Sequence, residues 1–261
     1  MAKKIVITSG KGGVGKTTVT AQLALKLSAL GLRVAVIDTD FGLNNLDVVL
    51  GLEDKVVYDL SDVFDGRCRV KQALVQDNGH KNLYLLSSSN TFDNAITGQK
   101  LNCVIENLTP TFDYILLDSP AGIESGFERA VACAEQAIVV TTTCMSSIRD
   151  ADKVISLLKS YKFEKIDVVV NKVRGDLILD NLSLDVFAVE NVLKTKVIGV
   201  IPESDEVLLS SGEGLPSRTS ASKAFKILAN NIDKNTYKIY DATRKYTGLL
   251  GSIKRSLKRS V

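Results

Sequence analysis

The sequence predicts an α/β fold, a doubly wound and mainly parallel sheet flanked by helices, from three observations. Its apolar runs are short and continuous rather than alternating, as strands covered on both faces are. Helical patterns separate several of those runs, which implies right-handed βαβ crossovers. The octapeptide Gly10-Lys11-Gly12-Gly13-Val14-Gly15-Lys16-Thr17 lies between the first run and the first helical stretch. That is where such sheets bind ligands, beyond the carboxyl ends of their strands.

The elements follow in order. Residues 4–8 (Lys-Ile-Val-Ile-Thr) read as a buried strand, and residues 18–30 as a helix with Leu23, Leu27 and Leu30 on one face and Gly31 just past its end. Residues 33–38 read as a second strand and 83–86 as another, followed by a helix over 98–108. Strands are then expected at 114–118, 137–141, 168–171 and 197–201, and helices at 128–134, 150–161, 184–193 and 221–232. With no internal repeat, low-complexity stretch or interdomain linker, residues 1–243 read as one domain and 244–261 as a tail.

Composition narrows the class. The 261 residues are 45% apolar and 24% charged, ordinary for a soluble globular protein. No apolar run approaches the ~18 residues of a transmembrane helix, and the first strand is too short for a signal-peptide core. Cys68, Cys103, Cys133 and Cys144 are scattered without C-x-x-C spacing, as reduced thiols of a cytoplasmic protein would be. The single histidine, His80, sits in a polar stretch and points to a surface loop rather than a metal site or a triad. Of the 33 bases, six fall in residues 244–261, where there is no acid, leaving 27 bases against 30 acids elsewhere. A mildly acidic body with a basic tail argues for a localised anionic partner and against a broad nucleic-acid-binding face.

The octapeptide fits the phosphate-loop pattern G-x-x-x-x-G-K-[ST]. Its glycines leave backbone N–H groups free to wrap phosphate oxygens, Lys16 is placed to reach the β- and γ-phosphates, and the Thr17 hydroxyl to bind Mg²⁺. Strand, glycine loop and helix N-terminus together set an anion on the helix dipole. Carboxylates end two of the strands. Asp38 and Asp40 close the second, and Asp118 closes 114–118. Beside a phosphate loop one carboxylate can hold Mg²⁺ through its water shell and another can orient an attacking water; the alternative is that they cap the next turn. Asn171 ends a further strand, where its amide can read an adenine edge, with Pro202 and Glu203 on the same rim; a plain surface turn is the alternative there.

In the tail, Leu249, Leu250, Ile253 and Leu257 recur at helical spacing, flanked by Lys254, Arg255, Lys258 and Arg259. An apolar stripe with basic flanks is the design of a short helix lying in an anionic membrane interface. A disordered basic tail and a helix docked on the body are the alternatives.

These residues together resemble the MinD/ParA family of deviant Walker-type P-loop ATPases, essentially from end to end. The resemblance rests on the loop through Thr18, on Ile37-Asp38-Thr39-Asp40-Phe41-Gly42-Leu43-Asn44-Asn45-Leu46-Asp47, on Val56-Val57-Tyr58-Asp59, on Asp118-Ser119-Pro120-Ala121-Gly122-Ile123-Glu124 and on Ser147-Ile148-Arg149-Asp150-Ala151-Asp152. The loop is shared by the wider family; the other motifs favour its Min branch. The resemblance implies ATP and Mg²⁺ as ligands, with Lys16 acting in cis, Thr17 on the metal, Thr18 at the α-phosphate, Asp40 positioning the attacking water, and Asp38 and Asp118 near the metal. It implies that Lys11 reaches across an ATP-dependent homodimer to the partner's phosphates. It further implies a regulator of division-site placement, cytoplasmic and peripheral on the inner face of the membrane when ATP-bound, that recruits a MinC-like inhibitor and answers to a MinE-like or topological factor. Two departures, Asn44 for an arginine and Cys144-Met145 for Pro-Glu, fall on surfaces that resemble partner-binding regions. The alternatives are a ParA-like DNA-segregation ATPase and a MinD-like flagellar-number regulator. The acidic body disfavours the first; the second usually carries an extension before the loop, where this sequence has nine residues.

Overall fold

The computed structural model describes residues 1–89, 96–209 and 214–259. Its strands are β1 (Lys3–Thr8), β2 (Val34–Asp38), β3 (Val75–Gln76), β4 (Leu83–Leu86), β5 (Tyr114–Asp118), β6 (Gln136–Thr141), β7 (Lys165–Val173) and β8 (Val197–Pro202). The helices in the first half are α1 (Lys16–Ala29), α2 (Leu46–Leu50), α3 (Leu60–Phe64), α4 (Val70–Ala73), α5 (Gly98–Leu108) and α6 (Ser125–Val131). Those in the second half are α7 (Met145–Leu158), α8 (Gly175–Leu179), α9 (Val186–Leu193), α10 (Asp205–Leu209), α11 (Ser220–Lys234) and α12 (Gly248–Arg259).

The strands form one sheet in the order β3-β4-β2-β5-β1-β6-β7-β8, every pair parallel except β3 with β4. From β1 the chain moves to one side for β2, β4 and β5, then to the other for β6, β7 and β8. The loop after β1 therefore lies at the topological switch point, where the outgoing helices part and leave a crevice. In β2 and β5 every residue is buried, the consequence of helices on both faces. One apolar cluster on the first face joins Val6, Ile115, Phe127 and Ile155; the other joins Ile5, Leu23, Leu116 and Phe225.

The α/β class and the mainly parallel sheet are as the sequence predicts. Boundaries differ where polar residues start a helix. Helix α7 begins at Met145, five residues before the expected start, because Ser146 and Ser147 carry no apolar period. Helix α6 is displaced three residues toward the N-terminus. The short helices α2, α3 and α4 and the two-residue edge strand β3 were not expected; none spans two full helical or strand periods. Helix α3 is instead held by a reciprocal cap, Asp59 accepting from Ser61 and Asp62 and Asp62 accepting from the Asp59 N–H.

Candidate functional site

The loop between β1 and α1 is fixed from behind. Gly13 and Gly15 adopt φ of 78° and 89°, the left-handed region that a side chain disfavours. The Val14 carbonyl accepts from Asn171 Nδ2 at 2.8 Å and the Gly13 carbonyl from Lys172 Nζ at 2.7 Å, so the end of β7 clamps the loop. Gly10 lies against α7, where a Cβ would come within 2.3 Å of the Asp150 carbonyl oxygen. Helix α1 begins at Lys16, so its first-turn N–H groups, from Lys16, Thr17 and Thr18, lack intrahelical partners and carry the positive end of the dipole. The loop, Asp40 and Ala121 line a cleft of about 230 Å³.

Beneath the loop the register of β2 with β5 sets Asp38 beside Asp118. Asp118 is almost wholly buried and fully engaged: Oδ2 is 2.9 Å from Lys16 Nζ and accepts from Thr17 Oγ1 at 2.7 Å, while Oδ1 accepts from Thr20 Oγ1 at 2.8 Å. Asp38 accepts from the N–H groups of Asp40, Asn45 and Leu46 at 2.9, 3.2 and 3.2 Å. Burial, and then the charge of Asp118, push the Asp38 carboxyl up to about 7 against the opposing N–H bonds and Lys16. Burial likewise raises the half-buried Asp40, with Lys16 opposing. Hard oxygen donors gathered around two buried carboxylates that repel each other suit Mg²⁺. Among the described residues no group of three or more His, Cys, Asp or Glu could hold a metal. The ion here would thus rely on the Thr17 hydroxyl, Asp38 and Asp118, completed by water and phosphate.

The Asp38 shift has a sign that can be tested. The folded chain holds a proton on Asp38 between about 3.8 and about 7, whereas the unfolded chain does not. Stability therefore falls as pH rises through that window, by on the order of 4 kcal/mol at most. Thermal melts with chelator and without nucleotide should lose stability between pH 5 and 8 more steeply in the native chain than in Asp38→Asn; equal slopes would contradict the assignment.

On the rim, Lys11 is exposed and its Nζ donates to Ser146 Oγ at 3.3 Å, at the start of α7. Pro202 ends β8 and is buried; Glu203 beyond it is exposed and faces Arg174 at 3.6 Å. In α12, Gly251 packs on the backbone of Tyr246, where a Cβ would approach within 2.3 Å, and Arg255 sits 3.6 Å from Asp180. Leu249 is 90% exposed and Ile253 57%. The side chains of Leu250, Lys254, Leu257, Lys258 and Arg259 lie outside the described ones.

Two participants escaped sequence reasoning. Thr20 shares a helix face with Lys16, four residues earlier, and that spacing from the loop lysine was the available signal. Lys172 adopts φ 54° so that its side chain can return to Gly13, a demand that nothing in the sequence marks.

The CobQ/CobB/MinD/ParA nucleotide-binding-domain family model matches residues 5–217. Septum site-determining protein MinD of Synechocystis is 40% identical, the match covering 98% of this chain and 99% of the relative. Among solved structures, the MinC:MinD cell division protein complex of Aquifex aeolicus superposes with a TM-score of 0.84 at 40% identity, over 91% of this chain and 98% of the other. Septum site-determining MinD of Pyrococcus horikoshii complexed with Mg-ADP gives 0.79 at 32% identity, over 90% and 97%.

Proposed function

The chain belongs to the MinD family of septum site-determining proteins, and from that premise we propose that ATP assembles it into a homodimer that docks on anionic membrane through residues 244–261. It is a division-site-regulating ATPase with ATP and Mg²⁺ as ligands. The observation that carries the dimer is the division of labour between two lysines at one loop. Lys16 is buried on Asp118 and acts within its own cleft, whereas Lys11 is exposed on the rim, held among the described residues only by the exposed Ser146 hydroxyl, and reaches outward when a partner arrives. A cation delivered to the γ-phosphate only when two subunits meet adds charge stabilisation in the manner of an arginine finger. ATP occupancy and dimerisation then stabilise one another.

Within each cleft, phosphate draws Lys16 away from Asp118, and Thr17, Asp118 and Asp38 are left to hold Mg²⁺. The ion supplies charge neutralisation between the phosphates. Thr18 contacts the α-phosphate and Asp40 orients the attacking water. Pro202 and Glu203 border the base-side rim, and Asn171, whose Nδ2 is held by the Val14 carbonyl, couples that rim to the loop and keeps its Oδ1 for the base. The domain through residue 243 hydrolyses ATP; the tail carries the membrane contact, with no helix among the described residues long and apolar enough to cross a bilayer. The Aquifex relative was solved with MinC, which supports recruitment of a MinC-like inhibitor here. A MinE-like or topological factor would then trigger hydrolysis and release.

Sedimentation velocity tests the dimer. With Mg-ATP the native chain should shift from monomer to dimer, and Lys11→Ala should remain monomeric while still binding nucleotide. Hydrolysis in that variant should fall by ~10³-fold, the scale of a missing arginine finger. A Lys11→Ala chain that dimerises and hydrolyses normally would refute the trans role.

A further inference from the structure

We infer that the groove between α11 and the segment that follows it is a second membrane contact, a basic platform for anionic lipid headgroups beside the root of the tail. This deepens the membrane reading above and rests on it.

The groove is preformed. Helix α11 ends at Lys234, and its capping residue Asn235, with φ of 50°, turns the chain back along the helix. Asn231, only 2% exposed, fixes the returning segment. Its Nδ2 donates to the Ile198 and Lys238 carbonyls at 2.9 and 2.6 Å, and its Oδ1 accepts from Thr236 Oγ1 and the Lys238 N–H at 2.8 and 3.1 Å. What remains between helix and return is a surface groove of about 1300 Å³. Such a surface needs no ordering before it binds.

Five of the six charged side chains in the lining are basic. Lys223, Lys226 and Lys234 enter from the helix and Lys238 and Arg244 from the return, all exposed. The acid among the lining residues, Asp241, is already turned onto Thr243, accepting from its N–H at 2.9 Å and its hydroxyl at 2.6 Å. Among the described residues the four lysines form no ion pair, which leaves their charge without a direct acidic partner. Tyr237, 48% exposed, stands in the same lining, with the ammonium groups of Lys165 and Lys196 at 5.1 and 5.7 Å from its ring centre. An aromatic ring bounded by cations is suited to the headgroup level of a bilayer.

Position favours lipid over other polyanions. Arg244 precedes the start of α12 at Gly248 by four residues, a reach of ~14 Å at most. The tail therefore tethers a membrane that takes up Leu249 and Ile253 to the segment that supplies Arg244 to the groove. A nucleic acid would meet a body that is otherwise acidic by three charges, since 27 bases face 30 acids outside the tail.

The full chain with Mg-ATP is to be sedimented with vesicles of phosphatidylcholine containing increasing phosphatidylglycerol. Lys226→Glu with Lys234→Glu should weaken binding by ~10-fold or more and flatten its dependence on phosphatidylglycerol and salt. Phosphate release without vesicles should be unchanged, and the Lys226→Gln, Lys234→Gln chain should fall between. If the charge-reversed chain sediments like the native one while a chain with Leu249→Glu and Ile253→Glu does not, the groove assignment is overturned and the tail reading stands. If the tail variant itself still sediments, the membrane reading beneath both fails. Loss of retention on DNA with vesicle binding intact would make the groove a nucleic-acid contact and overturn the proposal.

Discussion

Lys16→Ala should lower ATP hydrolysis by ~10³-fold or more, because the proposed mechanism moves its charge from Asp118 to the transferring phosphoryl group. The same change should destabilise the chain without nucleotide. Lys16 Nζ stands 2.9 Å from Asp118 Oδ2 with both side chains buried, and removing one member of such a pair leaves an uncompensated charge, at a cost of ~3 kcal/mol or more. Thr17 and Thr20 still donate to Asp118, which holds the loss to the lower end of that range. The two effects separate in a double-mutant cycle. Adding Asp118→Asn to Lys16→Ala should recover most of the melting temperature and none of the hydrolysis. Hydrolysis within tenfold of native in the folded Lys16→Ala chain would overturn its role; failure of Asp118→Asn to restore stability would show that the ion pair is not the source of the loss.

Leu249→Glu with Ile253→Glu should abolish ATP-dependent sedimentation with phosphatidylglycerol vesicles. Both side chains are exposed in the structure, so the fold has little to lose. Burial of two aliphatic side chains in the interface is worth ~1.5 kcal/mol each, and two added negative charges near an anionic surface cost ~1 kcal/mol apiece. The resulting loss of ~10³- to 10⁴-fold per tail is compounded in a dimer, where the second tail binds at high effective concentration. Native binding should require ATP, and ADP should not support it. Equal binding with ADP would detach the membrane from the nucleotide cycle; unchanged binding of the variant would remove the tail from it.

Much of this is legible in the sequence, and for identifiable reasons. The parallel sheet announces itself because strands buried on both faces must be apolar throughout, as 34–37 and 115–117 are. The loop is legible because wrapping phosphate requires glycine at particular steps, and Gly13 and Gly15 do take positive φ. The tail is legible because a helix carries a 3.6-residue period. What was lost is what lacks a period or depends on long-range contact: the start of α7 among serines, the short helices between 46 and 73, and the return of Lys172 to Gly13.

By itself, then, the sequence determined the α/β class, the phosphate loop at the first βα turn and the amphipathic tail, since each is a local pattern imposed by backbone geometry or burial. Only the tertiary structure decided which partners those residues keep. It set Asp38 against Asp118 through strand register, spent Asn171 on the loop and paired Arg255 with Asp180. It also folded residues 235–244 back along α11, bringing Lys238 and Arg244 opposite Lys223, Lys226 and Lys234. Charges distant in sequence become one surface only when the chain closes on itself, and no local pattern records that closure.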